Sequence, residues 1–250
     1  VIVRRLVVAA AAGALAVAGL AGCRSDPSVA AYVGSTRITE DQVNKIMTDA
    51  EAKVDEHNAK REALTPEQVA SLGQEDPLRF EATVPTREKV VSTLVFTEVC
   101  EQTRQGPGAP AEEIAEDQVG RAELLPAGTL FLRDRINYYL CLNDLGTAAT
   151  PVTPTEEQLR DLYARGLAAK VFDPEQPFQA IAPQLAANEQ VRGAYGLREA
   201  LVDAVESRKV TVNPRYRPLE LPILVFSQDS AAVVVPLTPV DTDPAVHDVG

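Results

Sequence analysis

The chain reads as a mainly α-helical fold with a small β element. Three observations carry this reading. Apolar residues recur at three- and four-residue intervals through five long stretches, as one face of a helix requires. Hydroxyl, amide and proline residues stand at the starts of those stretches, where helix caps belong. Short β-branched runs occur only near residues 29–38, 210–212 and 221–237, too few for a sheet-based core.

Taken in order, VAAYVGSTRI (29–38) reads as a strand, a turn at Gly34-Ser35 and a second strand. Thr39 then caps a helix over about 40–60, with Gln42 placed to complete a capping box and acids in the first turn. Val43, Ile46, Met47, Ala50 and Val54 form its apolar face, and His57 continues that face as a helix-end histidine rather than a ligand. Residues 60–85 are polar and broken by prolines, with Thr65-Pro66 starting a short helix. Val90, Val91, Leu94, Val95 and Val99 mark a second long helix from Thr86 to about Thr103. Pro110 to Val119 holds at most a short acidic helix.

Thr129 to Leu145 is the third long helix, with Leu132, Ile136, Tyr139, Leu140 and Cys141 on one side and the pair Tyr138-Tyr139 read as packing. Thr153-Pro154-Thr155-Glu156 predicts a helix capped by Thr153 and running to about Lys170. Pro177 to Leu185 is expected as a short helix interrupted near Pro183. Asn188 caps a helix over 189–207 with Val191, Tyr195, Leu201, Val202 and Val205 inward. A short strand at 210–212 follows, and residues 221–226 and 231–237 suit a hairpin within a 217–237 extension. A disordered tail is expected over 238–250.

Composition excludes several function classes. The 250 residues carry 24 basic and 36 acidic side chains, a net charge of −12, which argues against nucleic acid and against adhesion to anionic lipid head groups. Tryptophan is absent, so a sugar-stacking platform is not expected. The histidines, His57 and His247, lie far apart, and no spacing supports a metal site or a cofactor. The chain has no G-x-S-x-G, no glycine-rich phosphate loop and no HExxH. Glu112-Glu113 and Glu156-Glu157 read as helix-start acids, since adjacent carboxylates on a helix diverge. No catalytic residue is expected.

Ahead of this domain stand Arg4-Arg5, an uncharged run from Leu6 to Leu20, and Leu20-Ala21-Gly22-Cys23. A charged start, an apolar stretch of about 15 residues and a small-residue cleavage site make an export signal rather than a membrane-spanning helix. The segment resembles the bacterial lipoprotein signal, with the L-A-G-C lipobox matched in full. That resemblance implies removal of residues 1–22, diacylglyceryl attachment to the Cys23 thiol and a cell-membrane anchor on the extracytoplasmic face, followed by a short tether over 23–28. The remaining 228 residues would carry 22 basic against 36 acidic side chains, a net of −14. Cys100 and Cys141 are then an even pair in an oxidising compartment, either bonded or buried as two separate thiols. A bond would close a loop of roughly 40 residues, worth at most about 4 kcal/mol.

A second resemblance joins the two ends of the domain. VAAYVGSTRITEDQV near the start and LREALVDAVESRKVTVNPRY at about 197–216 look like the opening hairpin and the returning helix and strand of the SurA/PrsA group of extracytoplasmic folding factors. It covers about 29–104 and 153–216, and implies a helical chaperone core over 29–216 in which the 210–212 strand pairs with the strand at 30–33. Where relatives with isomerase activity carry a parvulin domain of roughly 90 residues, this chain holds only VFDPEQ between Lys170 and Pro177. Prolyl isomerase activity is not carried over. The implied function is a lipid-anchored, non-enzymatic chaperone-like protein holding unfolded or exported polypeptides. The alternatives are an interaction module for one dedicated envelope protein and, third, a solute-binding lipoprotein.

Overall fold

A computed structural model describes residues 26–103, 115–227 and 230–238. The signal segment, Cys23, Glu112-Glu113, His247 and the tail beyond Thr238 lie outside the described residues.

The chain opens with β1 (Val29–Val33) and β2 (Thr36–Thr39), joined through Gly34, whose φ of +58° is a turn conformation that glycine adopts without strain. The hydroxyl of Thr39 accepts from the Gln42 N–H at 3.2 Å and starts α1 (Glu40–Glu62). Val43, Ile46, Ala50, Val54 and His57 are its buried face, and His57 stacks on Phe80 with 5.0 Å between ring centroids. A reciprocal box between Thr65 and Gln68 starts α2 (Pro66–Ser71). A single 3-10 turn (Pro77–Arg79) leads to α3 (Arg87–Thr103).

Helix α3 is the centre of the molecule. Val90 through Phe96, Val99 and Cys100 are all buried, because α3 packs against α1, both strands of the hairpin and three elements that follow it. Its β-branched residues suit this burial on every side better than a solvent-facing stripe would. Next come α4 (Glu116–Glu123) and α5 (Leu130–Ala148), the latter capped by Thr129. The described helix at α4 stands further along the chain than the expected Pro110–Val119 segment, of which 110–114 lies outside the described residues.

The buried face of α5 is Phe131, Leu132, Arg135, Tyr138 and Cys141, turned from the expected stripe; Ile136, Tyr139 and Leu140 stand at its half-buried margins. The turn follows from Arg135, a charged residue that a hydrophobicity pattern places outside and that here has a buried carboxylate to meet. Cys141 is joined to Cys100 by a disulfide with Cα atoms 6.3 Å apart, fastening α5 to α3.

Helix α6 (Glu156–Ala168) begins two residues later than Thr153 predicts. Thr155 is the cap: its N–H donates to Gln158 Oε1 at 2.8 Å and its hydroxyl accepts from Gln158 N at 3.2 Å. That placement puts Glu156 and Glu157 in the first turn and buries both Pro154 and Leu159, the positions of a hydrophobic staple. Helix α7 (Phe178–Ala187) runs through Pro183 without interruption. Only one carbonyl loses its intrahelical donor there, in a short surface helix where water can replace it. Asn188 caps α8 (Glu189–Ser207), its Oδ1 accepting from Val191 N at 3.1 Å.

From α8 the chain returns to its own beginning. β3 (Thr211–Val212) pairs antiparallel with β1, Ala31 opposite Val212, so the sheet order is β2-β1-β3. A 3-10 turn (Pro214–Tyr216) then places the Tyr216 hydroxyl 2.9 Å from the Glu40 carboxylate, which also takes Arg87 at 2.8 Å and Arg215 at 3.0 Å. β4 (Glu220–Ser227) and β5 (Ser230–Pro236) form a separate antiparallel hairpin. Leu221, Val235 and Leu237 enter the main core with Val33, Val95 and Phe96. Ala232 and Val233 close a second cluster with Leu162, Val191 and Tyr195.

Candidate functional site: a groove beside helix α5

Where β4 passes α3, α4 and α5, the packing leaves a surface groove. One depression of about 540 Å³ lies between residues 83–89 and the start of β4. A second, of about 480 Å³, lies between α4, α5 and β4. They share Thr83, Lys89, Glu123 and Pro222, and so adjoin one another. A third, of about 400 Å³, continues along α5 from Tyr139 and Leu142 to Thr147. The walls mix apolar side chains such as Val84, Leu125, Phe131 and Val225 with polar ones such as Thr83, Thr86, Glu88 and Glu220. Val84 and Val225 are 38% and 50% exposed on them, while a third exposed valine, Val171, lies outside the groove.

The floor is charged. The side chain of Glu123 is only 4% exposed at the end of α4, and three donors converge on its carboxylate. Lys89 approaches Oε2 at 2.7 Å from α3. Arg135 approaches Oε1 through Nε at 2.9 Å and Nη2 at 2.5 Å from α5, and the Tyr139 hydroxyl donates to the same oxygen. The guanidinium carbon of Arg135 sits 3.8 Å from the Tyr138 ring centroid, and the Tyr138 hydroxyl donates to the Pro222 carbonyl at 3.2 Å. This chain of contacts positions β4 against α5.

Local backbone features hold Glu123 in place. Gly120 lets the chain reverse after α4, since a Cβ there would stand 2.8 Å from the Leu125 carbonyl oxygen. Leu124 adopts φ +55°, a left-handed conformation that costs a leucine energy and that ends α4 at this point.

These groups are settled in their charge states. Burial pushes the Glu123 carboxyl up, but Arg135, Lys89 and the Tyr139 hydrogen bond together outweigh it and hold the pKa below its ordinary value. Burial pushes Tyr139 up to about 12. The Arg135 guanidinium is disfavoured by burial and restored by Glu123, with a net upward shift. Neither carboxylate nor phenol is poised to exchange a proton near neutrality. What the arrangement can do is bind: a groove of mixed apolar and polar lining with a half-exposed ammonium, Lys89, shared by its two depressions.

The residues singled out from the sequence lie elsewhere. Cys100 and Cys141 are bonded and buried behind the groove, on α3 and α5. Glu156 and Glu157 are exposed in the first turn of α6. His57 packs on Phe80. Tyr138 is buried against Phe96, while its neighbour Tyr139 reaches the groove wall. Lys89, Glu123 and Arg135 were not legible as a group, since they come from three helices. The available signal was Arg135 itself, one helical turn after Leu132 inside an apolar stripe. Among the described residues no cluster of three or more histidine, cysteine or acidic side chains could hold a metal ion, and no helix is long and apolar enough to cross a membrane.

Comparison of the chain with protein-family models, with curated proteins and with solved structures finds no match.

Proposed function

We propose that the chain is a lipid-anchored, non-enzymatic chaperone-like protein that holds exported polypeptides in the groove beside α5. The observation that carries this reading is the groove: adjoining depressions with exposed Val84 and Val225 on the walls, the exposed acids Glu88 and Glu220 at the rim, and a buried ion pair of Glu123 and Arg135 on the floor. An unfolded segment offers what such a channel takes, apolar side chains in varied order and backbone carbonyls that Lys89 can meet. The lipobox at Cys23, the disulfide and the hairpin-to-returning-strand arrangement support the extracytoplasmic placement and the likeness to the SurA/PrsA group.

The test is suppression of aggregation by residues 24–250 against several unrelated unfolding proteins, with Val225→Glu and Val84→Glu as groove variants. Both positions are exposed, so neither change disturbs the core. Suppression across clients at near-equal concentration, reduced at least severalfold by either variant, supports the reading. Suppression that the variants leave intact places it elsewhere on the surface. No suppression by a folded sample overturns the holding activity, and stoichiometric co-purification with one membrane protein would identify a dedicated partner instead.

A further inference from the structure

The cations around the depression between residues 83–89 and the start of β4 are all committed. Arg87 and Arg217 flank it in the sequence, and both turn away. Arg87 bonds the Glu40 carboxylate at 2.8 Å, and Arg217 donates through Nε to the Val212 carbonyl at 3.1 Å. Lys89 lines the depression but is held on Glu123 at 2.7 Å, a carboxylate that Arg135 also pairs. Two acids are left over. Glu88 is exposed on the α3 wall and Glu220 on the β4 wall, and neither has a hydrogen-bond or ion-pair partner among the described residues. The same lining holds Val84, 38% exposed, with the buried side chains of Leu125, Phe131 and Leu219. One depression therefore combines an apolar base with an unpartnered carboxylate on each wall.

We propose that the groove selects polypeptide segments in which lysine or arginine side chains accompany apolar ones. The proposal rests on the reading of this groove as the holding site, and names the class of segment it takes. A basic side chain suits both parts of the lining. Its hydrocarbon stem covers Val84 and the neighbouring prolines, Pro85 and Pro218, while its charged head reaches Glu88 or Glu220. An acidic segment meets two carboxylates without partners and an ammonium that Glu123 already holds. An uncharged apolar segment gains burial alone. The net charge of −12 acts in the same sense at longer range, speeding the approach of basic chains and slowing that of acidic ones. Charge contacts at an exposed rim are individually weak, so the selection adds to the apolar affinity and does not replace it.

The test is fluorescence anisotropy with residues 24–250, the Cys100–Cys141 disulfide intact. The probes are fluorescein-labelled peptides of a single Val/Leu/Ser sequence that carry Lys, Gln or Glu at the same three positions. The Lys peptide is expected to bind about fivefold tighter than the Gln peptide, and the Glu peptide weakest. The difference should fade at about 0.5 M salt. Glu88→Gln with Glu220→Gln should bring the Lys peptide to the affinity of the Gln peptide and leave the Gln peptide unchanged. Glu88→Lys with Glu220→Lys should reverse the order. Both positions are exposed, so these variants keep the core. A control pair, Glu157→Gln with Glu175→Gln, removes two exposed acids that do not line the depression and should retain the preference. Equal affinity for the Lys and Gln peptides overturns the proposal. So does a preference that survives Glu88→Gln with Glu220→Gln, or one lost equally in the control pair. If all three peptides bind alike and Val225→Glu weakens them all, the groove stands as the holding site and its selectivity alone falls. If no peptide binds to the folded protein, the holding site falls and the selectivity with it.

Discussion

At the residue scale the strongest commitments are the buried charges. Arg135→Ala leaves the Glu123 carboxylate buried with Lys89 and Tyr139 alone, and is expected to lower stability by about 3–5 kcal/mol in urea denaturation. Removing both charges, Arg135→Met with Glu123→Leu, should cost less than the single change, because no uncompensated ion remains. The Glu123 contribution also has a defined pH window. Its folded pKa lies below the ordinary 4.5, so the contribution is complete above that value and is lost as pH falls through the folded pKa. Asp134 has the opposite sign. Burial raises it to about 6, with Arg133 only partly opposing, so folding is penalised once the group ionises. Asp134→Asn should therefore stabilise the protein at pH 8, by about 1 kcal/mol after allowance for solvent screening, and have no effect at pH 3. Equal effects at both pH values would show that the carboxyl is not desolvated.

At the element scale, caps were the most legible feature. Thr39, Thr65 and Asn188 each stand where a hydroxyl or amide meets the backbone N–H three residues on, a relation contained within a few residues of sequence, whereas Thr129, expected as the first helical residue, is itself a cap. The cap expected at Thr153 falls instead at Thr155, where Pro154 is buried before it, a tertiary contact that local spacing does not encode. The face of α5 was misread for the same reason: Arg135 is inward only because Glu123, twelve residues earlier, is waiting for it. The groove has no sequence signature at all, being the space between elements. Gly196 shows how far contact overrides propensity. In an exposed helix, glycine to alanine gains about 1 kcal/mol. On α8 the new Cβ would lie 2.0 Å from the Thr150 carbonyl oxygen, a backbone atom, so Gly196→Ala should destabilise by roughly 2 kcal/mol or more. Thermal denaturation gives the sign directly.

At the scale of the whole molecule, the two ends of the domain hold each other. Val210, Val212, Tyr216, Leu219 and Leu221 lie in the same core as Ala30, Val33 and Val43. A chain ending at Lys209 would expose this face and leave β1 without its outer partner and Glu40 without Tyr216 and Arg215. It is expected to lose cooperative unfolding, read as the disappearance of a single sharp transition in near- and far-UV circular dichroism. A truncated chain that kept one sharp transition would show that the return from α8 is an appendage.

The same closure sets a clock on biogenesis. Asn213 donates to the Val29 carbonyl across 184 residues of sequence. At about 5–20 residues per second, the first strand leaves the ribosome roughly 10–40 s before its partner exists. For that interval β1 is a bare, apolar edge. A protein whose opening strand must wait for its closing one depends on being kept apart from its neighbours until the last part of the domain has emerged.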